Sequence, residues 1–387
     1  MHVPFVYQKQ VVAYFKTHEK LWRSHGAAEV RQADYQVFKE QLQKDAHLLA
    51  QDTAPAVYAA VEKARDVLGI AHQVTVYQLM HVAALNAFVY ALPGEAHIVC
   101  SGDLLQLLDE KELLAVIAHE LGHVRLLAAD DGDYLVADRI LNTLTGRADT
   151  ANEYRETARC YDLYTELYCD QVALAVTGDP AVVISSLVKL NTGLEDVSAE
   201  RYIRQAIEIV ESGTIKSGQI THPESFIRAY AIHLAQVSPE ILPEKMQAVI
   251  EGRSELHQLD LFSKIKLQQY TRQTIAALLS VGELQTGILI NLAQQYFPDF
   301  KKEEQLSRPE PGCMNQCDDR SKEYIAYVLL DFAQADPDIE EAAFRNAFIL
   351  ATELGLKETL KELIKKELKL SEKKFTDRYK KTLAVYA

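Results

Sequence analysis

His119-Glu120-Leu121-Gly122-His123 stands inside an apolar run covering residues 113–127. On a helix, residues four apart share one face, so both imidazoles can reach one ion while Glu120 projects beside them at the ion's open side. Asp109 is a suitable N-cap, and the spacing predicts a helix from Glu110 onward. A bland reading competes, in which two histidines and a glutamate form a solvated polar stripe. The flanking residues are almost wholly apolar, however, and burying three titratable groups with neither metal nor partner is costly.

A hydrolytic zinc takes three protein ligands and keeps a fourth position for water. The third ligand must come from farther along the chain. Glu166 is the leading candidate, in a second helical stretch over residues 161–176, with Asp170 one turn later. Asp170 can accept a hydrogen bond from the non-ligating nitrogen of a zinc-bound histidine and so fix its tautomer. Taken alone, a Glu and an Asp four apart are usually surface residues. His119 and His123 reverse that reading because they demand a partner. In the resulting scheme zinc polarises a scissile carbonyl, Glu120 takes the proton of the attacking water, and the cysteines are spectators.

Working outward, residues 4–24 and 27–51 carry apolar positions at spacings of three and four, which predicts two amphipathic helices broken at Gly26. A third helix is expected over 55–68, ending at Gly69. The period then changes to two in Val74, Val76 and Leu79, and two further strands are expected over 86–92 and 97–100, separated by Pro93-Gly94. From Glu110 nearly everything reads as helix, with breaks near Gly132 and over 178–180, 213–218 and 239–243. Arg308-Pro309-Glu310-Pro311-Gly312 is the strongest linker candidate. Residues 322–387 read as helical, with a turn at Asp336-Pro337-Asp338. The fold class expected is α+β, mostly helical, with a small sheet beside an active-site helix.

The chain has 387 residues, of which 48% are hydrophobic and 25% charged, as in ordinary globular proteins. Its 41 basic and 55 acidic residues leave a net charge of −14, which disfavours nucleic acid and anionic membranes as partners. The basic residues between Lys361 and Lys374 alternate with Glu362, Glu367 and Glu372, the pattern of a solvated helix face. The most apolar windows, 113–118 and 275–281, are far shorter than the ~20 residues of a spanning helix, and no signal peptide is visible. The five cysteines form an odd, sparse set, and Cys313 and Cys317 read as free thiols. A cytoplasmic location is the expectation.

Several ordered motifs carry a family likeness. They are Asn86-Ala87-Phe88; Ser101-Gly102-Asp103-Leu104; the run from Glu112 through His123; Glu166-Leu167-Tyr168-Cys169-Asp170; Gly178-Asp179-Pro180; Leu187-Val188-Lys189-Leu190; and His222-Pro223 with Arg228. Together they resemble the M48 zinc metallopeptidase family over residues 54–234. The resemblance implies a zincin catalytic domain of the gluzincin type, with one Zn2+ held by His119, His123 and Glu166. It also implies that peptide or unfolded protein substrate binds along an exposed strand carrying Asn86, Ala87 and Phe88. His222 would lie near the active site, steadying the oxyanion or occupying the zinc's open position in a latent state, with Arg228 pairing with a carboxylate. Thr221-His222-Pro223-Glu224 reads equally well as a helix start. Many members span membranes; this chain resembles the soluble branch. Cys169 replaces the usual alanine before Asp170, and a thiol so near a metal invites oxidation or an extra ligand.

The domain organisation expected is an N-terminal helical region over 1–53, the metallopeptidase domain over 54–236, a helical extension over 237–308 and a C-terminal helical module over 313–387. The activity expected is that of a zinc endopeptidase. The alternative is a latent or non-catalytic zinc-containing scaffold whose helical flanks, the C-terminal helices included, hold a protein partner.

Overall fold

The structure, a computed structural model, describes residues 3–26, 29–213, 215–253, 255–302, 307–314 and 317–377. The chain divides into two compact units, Met1–Gly252 and Arg253–Ala387.

The first unit opens with α1 (Val6–Lys16), α2 (Glu19–Gly26), α3 (Glu29–Asp45) and a short strand β1 (Ala46–Leu48). The two long helices expected at the N-terminus are each cut short. Thr17 ends the first by turning its Oγ1 back to the Tyr14 carbonyl at 2.6 Å. The second stops at Asp45 because residues 46–48 pair with β2 instead, and Leu42 and Ala46 bury against Val99 of the sheet. A tertiary partner here overrides helical periodicity.

Next come α4 (Pro55–Leu68), β2 (Gln73–Leu79), β3 (Asn86–Leu92) and β4 (Glu95–Ser101). Proline at the first turn of α4 and Gly69 at φ 65° just past its end supply the expected start and stop. The sheet has four strands where the sequence suggests three, in the order β1-β2-β4-β3. β2 and β4 run parallel, and both outer pairs are antiparallel. Gly94, at φ 77°, turns the β3–β4 hairpin, which leaves β3 at the edge of the sheet.

The rest of the unit is helical: α5 (Leu104–Leu107), α6 (Glu110–Ala128), α7 (Asp133–Thr145), α8 (Asn152–Thr177), α9 (Pro180–Thr192), α10 (Ala199–Glu211), α11 (Ser225–Val237) and α12 (Leu242–Ile250). Asp109 caps α6 in a capping box. Its Oδ1 accepts from the Lys111 and Glu112 amides at 2.8 and 2.9 Å, and its own amide donates to Glu112 Oε2 at 3.0 Å. α6 is apolar nearly all round because it packs against α4, α8, α9 and the edge strand β3.

The second unit contains α13 (Leu261–Leu279), α14 (Gly287–Tyr296), α15 (Asp319–Gln334), α16 (Glu340–Glu353) and α17 (Lys357–Glu367). One core joins Ile275 and Leu289 to Met314, Ile325, Phe344 and Leu360. The Pro309–Gly312 break therefore lies within this unit, with helices before and after it burying their apolar faces together, and the compact division falls at residues 252–253. Residues 378–387 of the expected C-terminal helix lie outside the described residues. Among the described residues, no helix is long and apolar enough to cross a membrane.

Candidate metal centre

Gly122 sets the distance between α6 and α8. A Cβ built there would lie 3.1 Å from Cys169 Cα and 3.2 Å from Cys169 Sγ, tighter than nearly all real contacts. The two helices thus meet where one has no side chain and the other a small one, which brings the His119/His123 face of α6 against the Glu166/Asp170 face of α8.

His119 Nε2 lies 3.3 Å from Glu166 Oε2, and His123 Nε2 lies 3.4 Å from Glu166 Oε1. His119 Nδ1 faces Asp170 Oδ1 at 3.0 Å. From α11, Arg228 grips Asp170 with two bonds, Nε to Oδ2 at 2.8 Å and Nη2 to Oδ1 at 2.6 Å, and its Nη1 stands 3.4 Å from Glu166 Oε2. His222 Nε2 lies 3.6 Å from Glu166 Oε1, although the His222 side chain is 61% exposed. Residues from two other helices, α6 and α11, and from a loop thus converge on the Glu166 carboxylate of α8.

A cleft of about 330 Å³ opens over this cluster. Asn86 and Ala87 of the edge strand line it together with His119, Glu120, Glu166, Asp170, His222 and Arg228. Phe88, the next residue of β3, is 37% exposed. Residues that the sequence reading did not single out also line the cleft, among them Leu85, Val183, Asn191 and Gln219. Glu112 was another omission as a structural device. Buried at the N-terminal turn of α6, it accepts from Ser185 Oγ at 2.6 Å and Lys189 Nζ at 2.8 Å, tying α9 to the histidine helix. The Asp109-x-x-Glu112 spacing signalled the cap but not these two distant donors.

The electrostatics follow from burial and neighbours. Burial pushes the Glu120 carboxyl up to about 7. Burial likewise lowers His123 to about 4. For Glu166 burial opposes ionisation, but the close polar contact with His119 and the Arg228 charge outweigh it and hold the carboxyl well below its usual range. Burial, with the carboxylates of Glu166, Glu120 and Asp170 nearby, pushes the Cys169 thiol well above its ordinary value.

The donor set fits a zinc ion. Glu166 Oε2 is buried and makes no well-formed hydrogen bond among the described residues; His119 Nε2 at 3.3 Å and Arg228 Nη1 at 3.4 Å are its polar neighbours, and a cation between the carboxylate and the imidazoles would satisfy it. Ligands at about 2.1 Å from a tetrahedral ion stand about 3.4 Å apart, which matches the 3.3 and 3.4 Å separations between Glu166 and the two imidazoles. A second grouping also exists, because Cys169 and the two histidines offer ligand atoms that all lie within 4.8 Å of one another. A buried thiol that keeps its proton is the weaker donor.

The sequence model described as Peptidase family M48 matches residues 51–235. This segment is similar to peptidase family M48. The M48-like segment runs from before α4 into α11, and so holds every residue of the cluster described above. A curated relative, the plastoglobule-localized metallopeptidase 48, chloroplastic, of Arabidopsis thaliana, is 32% identical over 169 residues, covering 38% of this chain and 47% of the relative. The chain thus spans about half the length of the M48 relative that it matches. No solved structure matches it significantly.

Proposed function

We propose that the chain is a zinc-dependent endopeptidase. The observation that carries this reading is the buried Glu166 carboxylate with His119 and His123 Nε2 at 3.3 and 3.4 Å from its two oxygens, beside a cleft lined by His119, Glu120 and Glu166. His119, His123 and Glu166 would hold the ion. When bound, zinc supplies Lewis acidity toward a peptide carbonyl and toward water.

The protein's own groups do the rest. Glu120 accepts the proton of the attacking water and returns it to the leaving nitrogen. Asp170 holds the His119 ring in the tautomer that leaves Nε2 free for metal, and Arg228 fixes Asp170 in turn. The free edge of β3 at Asn86, Ala87 and Phe88 offers unpaired backbone groups to an extended peptide, so unfolded protein is the natural substrate. His222 stands at the mouth of the cluster, where it can steady an oxyanion or cover the open position.

Support for the peptidase reading over a non-catalytic scaffold comes from Glu120. A purely structural metal site has no use for a carboxylate beside an open cleft. The name of the M48 relative calls that protein a metallopeptidase. A cytoplasmic location is kept as part of the proposal, in line with five cysteines that form no disulfide among the described residues.

The test is metal analysis together with cleavage of an unstructured protein, in the native chain and in Glu120→Gln. Removing the base while sparing the ligands should keep the zinc and lower turnover by about 10²- to 10⁴-fold. Undiminished cleavage by the variant would assign the activity to something else.

A further inference from the structure

The segment that carries His222 is anchored by a residue outside the cleft. Arg159 lies on α8, two turns before Glu166, with its side chain only 12% exposed. Its Nε and Nη2 grip Glu156 at 2.8 and 2.7 Å. Nη1 donates to the carbonyls of Ser217 and Gln219 at 3.2 and 3.3 Å, and Nη2 also donates to the Ile250 carbonyl at the end of α12 at 3.0 Å. Those bonds use all five guanidinium donors, a pattern that no lysine can reproduce.

The same segment is held from its far end. Ser217 Oγ donates to Glu224 Oε2 at 2.7 Å and the Gly218 amide to Glu224 Oε1 at 3.1 Å, while the Ser217 amide bonds the Val249 carbonyl at 2.8 Å. Residues 217–219 are therefore pinned by their backbone, and residues 220–222 project from them to the cleft. His222 itself is largely exposed, with Thr221 Oγ1 at 2.9 Å from Nδ1 and Glu166 on its other nitrogen. Packing does little to hold that ring. Its nearness to Glu166 is set by where the backbone before it is fixed.

We propose that Arg159 is the positioning residue of this strap, setting the approach of His222 to the metal centre and thereby how readily the ion is reached from outside. The proposal rests on the peptidase reading of the cleft for its consequence, but not for the anchoring itself. Arg159 touches neither metal ligand nor substrate. Its effect has to pass through His222.

The experiment uses the full chain loaded with cobalt(II) as a spectroscopic stand-in for zinc. Two quantities are read: amide hydrogen exchange over residues 216–222, and the rate at which a chelator removes the cobalt. Arg159→Gln should speed exchange in that segment roughly tenfold, and cobalt loss roughly three- to tenfold. His222→Ala alone should speed cobalt loss as much, and the double variant no further. Ser217→Ala, a milder cut at the other end of the strap, should act in the same direction and also vanish in the His222→Ala background. Unchanged exchange in both Arg159→Gln and Ser217→Ala would overturn the anchoring. Full additivity of Arg159→Gln with His222→Ala would overturn the route through His222 and leave a merely structural role. A native chain that takes up no cobalt would instead sink the metal reading, while the exchange measurement would still decide the anchor.

Discussion

Asp170 Oδ1 takes a hydrogen-bonding nitrogen from each of two elements, His119 Nδ1 at 3.0 Å and Arg228 Nη2 at 2.6 Å. His119 and Asp170 are thereby locked as a pair whose geometry α11 enforces from behind. That relationship orients the first histidine of the motif, and it gives the carboxylate a role distinct from that of a ligand.

Replacing Asp170 with Asn should therefore keep the fold and weaken zinc binding by about 10- to 100-fold, because the His119 ring loses its charged acceptor and its fixed tautomer. Competition against a chelator of known affinity measures this. An unchanged affinity would show that His119 is oriented by helix packing alone.

Two donor sets can be separated by single substitutions. His119→Ala, His123→Ala and Glu166→Ala should each lose most of the metal, while Cys169→Ala should retain it. Elemental analysis of the four purified variants decides the matter. Loss from Cys169→Ala with retention by Glu166→Ala would hand the third position to the thiol.

Gly122→Val should destabilise the chain by about 1–3 kcal/mol, since an added Cβ alone would crowd Cys169 at its Cα, 3.1 Å away, as well as at its Cβ and Sγ, and the helix backbone cannot swing aside as a side chain can. Chemical denaturation with an unchanged slope is the expected signature. Stability equal to the native value would mean that α6 and α8 can separate freely, and the close approach would carry no weight.

A chain ending at Gly252 should fold, stay in solution and load zinc, because the compact unit and all the cluster residues precede that point. A chain ending at Arg308 should aggregate. It would keep α13 and α14 while removing α15, α16 and α17, whose side chains complete the same core. Size-exclusion chromatography of the two truncations compares them directly. A soluble, monomeric 1–308 chain would move the boundary back to the Pro309–Gly312 break.

The amino-acid sequence by itself determined what depends on neighbours a few residues apart. The helix of His119 and His123 and its Asp109 cap, the Pro55 start and Gly69 stop of α4, and the period-two strands were all legible because their causes are local hydrogen bonding and side-chain spacing. The M48 likeness could be read in the same way, from ordered short motifs. Only the tertiary structure decided what depends on partners far along the chain. Residues 46–48 left their helix because β2 offered an open edge, and β3 became the outer strand because β4 turned back to pair in parallel with β2. Glu166 met both imidazoles because Gly122 let α8 come close, and Arg159 reached the His222 segment because the end of α12 folds over the same stretch of α8. Spacing along a chain reports which face a side chain occupies. Which face it meets is settled by the packing of whole elements, and no local pattern records that.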